Sequence, residues 1–126
     1  MKKIYMNELA KILNINESAL RYYDSKELLP NIQRDSNNYR FIFEQDIERA
    51  NTVICLKKTG MPLNEIKKYL DLLEQGNSSL EIRYKMILKQ EKMVLEKIED
   101  IKKQVEFINF KKDIYEKKIE EEKYEN

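Results

Sequence analysis

The chain has 126 residues, with no histidine, one cysteine, two glycines and two prolines. Each shortage excludes something. Metal-free hydrolytic chemistry needs a nucleophile beside a base, usually histidine, so an enzyme of that kind is not expected. Two glycines do not make a phosphate-cradling loop. A soft-metal site needs at least two thiolates or imidazoles, more than this chain supplies, so no metal or cofactor is expected. One cysteine, Cys55, makes no disulfide within the chain, which fits a reducing compartment. No apolar run approaches the roughly 20 residues of a membrane span. The N-terminal MKKIYMNELAK has polar and acidic residues where a signal peptide has its apolar stretch, so a cytoplasmic protein is expected.

What is plentiful is charge. Charged residues make up 37% of the chain and apolar residues 41%, which with so little glycine and proline points to long helices with wide solvated faces. The net charge is only +1. Residues 1–43 hold 7 Lys/Arg against 5 Asp/Glu, and the remainder is close to balanced. An excess that small does not establish a nucleic-acid partner; the placement of the charges has to do so.

The densest placement is Ser18 to Arg40, from SALRYYDSKELLP to RDSNNYR. Met6, Leu9, Ala10 and Leu13 recur at helical spacing. Asn14-Ile15-Asn16 interrupts them, and Asn16 is suited to cap a second helix from Glu17 to about Lys26. Two short helices joined by so short a turn form a helix-turn-helix, with Leu9, Leu13, Ile15, Leu20 and Tyr23 in one small core and Arg21 and Tyr22 pointing elsewhere. Pro30 ends the second helix. Residues 31–38 have turn composition, and residues 39–43 favour a strand that could pair with Leu28-Leu29 as a two-stranded wing. A third helix is expected over residues 44–59, stopped by Gly60, and a fourth from Leu63 to about Glu74, opened by Pro62.

From Ser79 onward nothing obliges a break. One heptad position reads Leu80, Ile87, Val94, Ile101, Ile108, Tyr115; the other reads Tyr84, Glu91, Ile98, Val105, Lys112, Ile119. A seam sustained over more than four heptads argues coiled coil, with Ile87, Val94, Ile98, Ile101, Val105 and Ile108 as its dimerisation residues. The simplest partner is a second copy; the alternative is a helix folded back on its own domain. The tail from residue 120 is expected to fray.

Taken together, the helix-turn-helix, Arg21-Tyr22-Tyr23-Asp24, Glu27-Leu28-Leu29-Pro30, Asn38-Tyr39-Arg40, the LKKTGMPLNEI stretch and the long helix resemble the MerR-type transcriptional regulators. Glu27 and Asn38 stand where that family has glycine, and Tyr5 and Phe43 where it has a Ser or Thr cap. The resemblance implies a mainly α fold: a winged helix-turn-helix over residues 1–76, then an antiparallel coiled-coil dimerisation helix over residues 77–126. It implies a homodimer on a palindromic operator in double-stranded DNA, distorting the promoter spacer for RNA polymerase. By position, Ser18 and Arg21 would touch bases or nearby phosphates, and Tyr22, Arg34, Tyr39, Arg40 and Lys57 would touch phosphates. Read from the residues alone, each is equally a solvated side chain, and Tyr22 and Tyr39 are equally core residues. A coiled-coil adaptor without DNA binding is the rival, separable by the salt dependence of DNA affinity.

Cys55, within DIERANTVICLKKTG, resembles the lone cysteine of the branch that answers aldehydes and thiol-reactive electrophiles, a stress response. The thiolate is the nucleophile, and nearby cations such as Lys57 and Lys58 favour it. The alternative is a small, buried, inert core residue.

Overall fold

The structure, a computed structural model, describes residues 2–125. The order is β1 (Lys3–Tyr5), α1 (Met6–Leu13), α2 (Glu17–Ser25), β2 (Gln33–Arg34), β3 (Arg40–Phe43), α3 (Ile47–Lys58), α4 (Leu63–Glu74) and α5 (Leu80–Glu125), with 3₁₀ turns at Glu44–Asp46 and Gly76–Ser79. By contact the chain divides into residues 1–86 and 87–126. The fold is mainly α, a winged helix-turn-helix unit followed by one long helix.

Three helices leave by the same backbone device. Ile15 N–H donates to the Ala10 carbonyl at 3.0 Å, Leu28 N–H to Tyr23 at 3.0 Å, and Met61 N–H to Leu56 at 3.2 Å. The preceding residues, Asn14, Glu27 and Gly60, all have positive φ, at 57°, 59° and 91°. This is the Schellman exit, which satisfies carbonyls left over at a helix end and sets an apolar residue just past it against the last turn. Leu28 and Met61 are buried, and Ile15 packs on the core. Glycine suits such a position because it has no Cβ; Glu27 holds the conformation against a steric cost of about 1–2 kcal/mol.

Here the wing departs from expectation. Leu28-Leu29 is not a strand. Both side chains are buried, Leu28 as the apolar plug of the α2 exit, so they are unavailable to an edge. β3 pairs instead with β2, Gln33 opposite Phe41, and on its other side with β1, Ile4 opposite Ile42. The sheet has three strands in the order β1-β3-β2. The hairpin turns through Asp35–Tyr39. Asn38 N–H donates to the Asp35 carbonyl at 2.9 Å, and Asn38 itself has φ 68°. A tight turn closed by one left-handed residue suits a short hairpin loop, and asparagine tolerates that conformation.

Asn16 caps α2 as expected, its Oδ1 accepting from Ala19 N–H at 2.7 Å. Tyr5 and Phe43 supply no side-chain cap to the helical turns after them. The third helix opens as a 3₁₀ turn, so α3 proper begins at Ile47. The core has two adjoining parts. Leu9, Leu13, Leu20, Ile42, Ala50 and Ile54 fill one, with Ile15, Tyr23 and Ile47 against it. Leu28, Val53, Leu56, Met61 and Ile66 fill the other, covered by Leu63, Tyr69 and Leu70. Leu72 is also buried.

The bend from α4 into α5 is held by Ser79. Its buried hydroxyl bonds the Leu72 and Gly76 carbonyls and accepts from Arg83 Nε at 2.9 Å. α5 then runs 46 residues, about 69 Å. Its backbone stays helical through Glu125, where fraying was expected from residue 120; Asn126 lies outside the described residues. In the single chain Ile87, Ile98, Ile101, Val105 and Ile108 are exposed and Val94 is half-buried. No helix among the described residues is long and apolar enough to cross a membrane.

Candidate nucleic-acid interface

A concavity of about 650 Å³ opens between the start of α1, α2 and the wing. Arg21, Arg34, Tyr39 and Arg40 line it together with Tyr5, Met6, Asn7, Glu17, Asp35 and Asn38. Four of the seven residues expected at DNA therefore meet in one place. Ser18 and Tyr22 lie beside it, on the same exposed face of α2 as Arg21, because residues three and four apart share a helix face. Lys57 is exposed on α3 and does not line the concavity.

The helix face is set by its other side. Leu20 is fully buried and Tyr23 packs on the core, which turns Arg21 and Tyr22 outward. Tyr22 is 47% exposed and Tyr39 66%, so neither is a core residue. The Tyr22 ring stands edge-on to Tyr23 at 5.9 Å, with the Lys26 ammonium 5.7 Å away. The Ser18 hydroxyl donates to Asn16 Oδ1 at 2.7 Å and so supports the cap. Among the described residues the Arg21 and Lys57 side chains have no hydrogen bond or ion pair.

Two acids that sequence reasoning left without a role organise the rest. Asp24, the acid after Arg21-Tyr22-Tyr23, accepts from Arg40 Nη1 at 2.6 Å and joins the wing strand to α2. Only one guanidinium nitrogen is used there, which leaves further donors on a residue that lines the concavity. Asp35 holds the wing turn. Its Oδ1 accepts from the Asn37 and Tyr39 amides, each at 2.9 Å, and its Oδ2 from the Tyr5 hydroxyl at 2.9 Å. The Tyr39 amide first, then Tyr5, the Asn37 amide and the nearby Lys3 ammonium, hold the Asp35 carboxyl below the usual range against a partial desolvation penalty. The same bond, with desolvation and the carboxylate's charge, raises the Tyr5 phenol. Arg34 Nη1 donates to the Asn38 carbonyl at 3.3 Å and its side-chain oxygen at 3.2 Å, which stretches the guanidinium along the wing without cancelling its charge. Asp24 and Arg40 are 16 residues apart and Tyr5 and Asp35 are 30 apart. The acid in the Arg21-Tyr22-Tyr23-Asp24 run was a usable signal; nothing local marks Asp35 or Tyr5.

The site offers planar guanidinium forks, tyrosine hydroxyls and an exposed helix face, which suit phosphate oxygens and base edges of a duplex. Among the described residues no three His, Cys, Asp or Glu side chains group as a metal site. Cys55 is exposed on α3, which overturns the alternative of a buried core cysteine. The helix turns Val53, Ile54 and Leu56 inward and leaves Cys55 outside.

Comparison with known proteins places the sequence and fold among known regulators. A family model described as MerR HTH family regulatory protein matches residues 5–73. An HTH-type transcriptional regulator of Haemophilus influenzae is 32% identical over 108 residues, covering 86% of this chain and 80% of that protein. The mercuric resistance operon regulatory protein of Bacillus cereus is 29% identical over 101 residues, covering 80% and 76%. Among solved structures, HiNmlR, a MerR family regulator lacking the sensor domain and bound to promoter DNA, superposes with a TM-score of 0.78 at 29% identity, covering 92% of both chains. A MerR family regulator from Bacillus thuringiensis also gives 0.78, at 33% identity, covering 87% of this chain and 96% of that one.

Proposed function

The chain belongs to the MerR HTH family and is a DNA-binding transcription regulator, not an enzyme; from that premise we propose that it binds a palindromic promoter operator as a homodimer and distorts the promoter spacer DNA, in the cytoplasm, for RNA polymerase. The observation that carries the reading is the convergence of Arg21, Arg34, Tyr39 and Arg40 on one concavity beside an exposed helix. That helix is the reading element for the major groove: Ser18 and Arg21 meet bases or nearby phosphates. Tyr22, Arg34, Tyr39 and Arg40 grip the backbone, with Lys57 on a flanking phosphate.

One unit reads one half-site. The α5 stripe through Ile87, Val94, Ile98, Ile101, Val105 and Ile108 pairs with a second copy and sets the distance between half-sites. Modification of Cys55 by an aldehyde or similar electrophile switches the bound dimer, and its exposure supports access by such a reagent.

Replacing Arg21 by Glu removes the fork and adds a charge that repels phosphate. Arg21→Glu is expected to abolish the mobility shift of an operator duplex while leaving the melting temperature and the dimer unchanged; an undiminished shift refutes the reading-helix assignment. In a reporter strain, Cys55→Ser is expected to silence the response to methylglyoxal or formaldehyde. A retained response removes the cysteine switch and leaves DNA recognition standing.

A further inference from the structure

We propose that Tyr5 is a positioning residue for DNA binding, its hydroxyl latching the wing tip through Asp35 so that Arg34 and Tyr39 are held over the concavity. Tyr5 has a firm base. It ends β1, pairs opposite Phe41 in β3, and its ring lies 5.7 Å from the Phe41 ring. From there the hydroxyl reaches Asp35 Oδ2 at 2.9 Å. The other carboxylate oxygen holds the Asn37 and Tyr39 amides, and Asn38 in turn receives Arg34. A chain of hydrogen bonds thus runs from the sheet to the two wing residues assigned to phosphate. Without Tyr5, the carboxylate end would be free and the exposed turn would hold itself by local bonds alone.

The latch also answers an electrostatic question. Asp35 is an acid lining a surface assigned to phosphates. A bare carboxylate there would repel the DNA backbone. Three donors converge on this one, with the Lys3 ammonium close by, so its charge is spent on ordering the turn.

This inference rests on the DNA-binding reading above. The probe is a duplex selected from a randomised library by the wild-type protein, and the readouts are its affinity and the melting temperature of each variant at fixed protein concentration. Tyr5→Phe keeps the ring against Phe41 and removes only the hydroxyl. It is expected to lower affinity about three- to tenfold, the value of one hydrogen bond, while the melting temperature falls measurably but by only a few degrees, so that the variant stays folded at the assay temperature. In an Asp35→Ala background, or Asp35→Ser should the alanine variant misfold, the same change is expected to cost nothing further. Asp35→Asn keeps the link with the donor reversed and is expected to show no loss. Equal affinities of wild type and Tyr5→Phe overturn the latch alone. An undiminished Tyr5→Phe loss in the Asp35→Ala background also overturns it, since the hydroxyl would then act on DNA directly. If the wild type selects no duplex, the latch and the DNA-binding reading fall together.

Discussion

The charge layout predicts a numerical salt dependence for DNA binding. Arg40 is paired with Asp24 and adds little net charge, whereas Arg21 and Lys57 have no acidic partner among the described residues and Arg34 bonds only neutral oxygens. That leaves three uncompensated cations per protomer and about six per dimer. Each phosphate neutralised contributes about 0.9 to the slope of log affinity against log salt, so the wild type should show a slope near −5 and lose about a thousandfold between roughly 50 and 200 mM. Arg34→Gln removes two of the six cations. The slope should fall to about −3.6 and the loss to about a hundredfold over the same range. Arg21→Gln should behave differently if that side chain reads a base edge, weakening the selected duplex more than a random one. Fluorescence anisotropy with a labelled duplex over a salt series measures all of this. A wild-type slope shallower than about −2, or an Arg34→Gln slope equal to the wild type, refutes the placement of these cations on the phosphates.

At Glu27, an alanine loses only the exposed pair with Lys67, while a glycine also relieves the left-handed strain at φ 59°. Offset by greater freedom of the unfolded chain, the gain of Glu27→Gly over Glu27→Ala should be about 0.5–1 kcal/mol, or 2–5 °C in melting temperature, and a glycine variant melting no higher contradicts it. The Tyr5–Asp35 bond has a pH window. Asp35 is depressed below its ordinary 3.8, so its contribution is present above that value and lost as pH falls through the folded one; Tyr5 is raised above 10.0, so its contribution is present below that value and lost as pH rises through the folded one. The melting-temperature gap between wild type and Tyr5→Phe should therefore be level between these limits and shrink outside both. On α5, Ile101→Lys places a charge in the middle of the seam and should convert dimer to monomer in sedimentation, with the N-terminal unit still folded.

What could be read from the sequence divides by the range of the interaction. Asn16 was legible as a cap because its side chain acts on an amide three residues on. The inward faces of α1 and α2 were legible because helical periodicity is local. β1 was not, since three residues carry no useful alternation and they pair only because β3 offers an edge nearly forty residues later. Leu28-Leu29 misled for a related reason. An apolar pair reads equally as strand or as the plug of a helix exit, and the choice depends on Tyr23 and the second core, not on the pair. For the site, Arg21, Arg34, Tyr39 and Arg40 were visible as residue types suited to phosphate. Of the acids that orient them, Asp24 stood out only as the end of the Arg21-Tyr22-Tyr23-Asp24 run, without its partner, and Asp35 did not stand out, because both act across a fold whose geometry is not written locally.

Those acids explain why net charge was a poor guide. Residues 1–43 carry an excess of only two positive charges, yet their acids are not spread evenly over the DNA-facing surface. Asp24 is bound to Arg40, Asp35 to Tyr5 and two amides, and Glu27 to Lys67. Asp24 thus holds one of the cations and Asp35 holds the turn between Arg34 and Tyr39, while Arg21 and Arg34 keep uncompensated charge. Glu17 is the exception. It lines the concavity one helical turn from Arg21 and forms no ion pair among the described residues. At the positive end of α2 it favours the helix. Facing a phosphate it would oppose binding. Glu17→Gln separates the two roles: the melting temperature should fall slightly, while affinity for the selected duplex should rise and its salt slope steepen. A variant that weakens DNA binding would instead make Glu17 an acceptor for a base amino group.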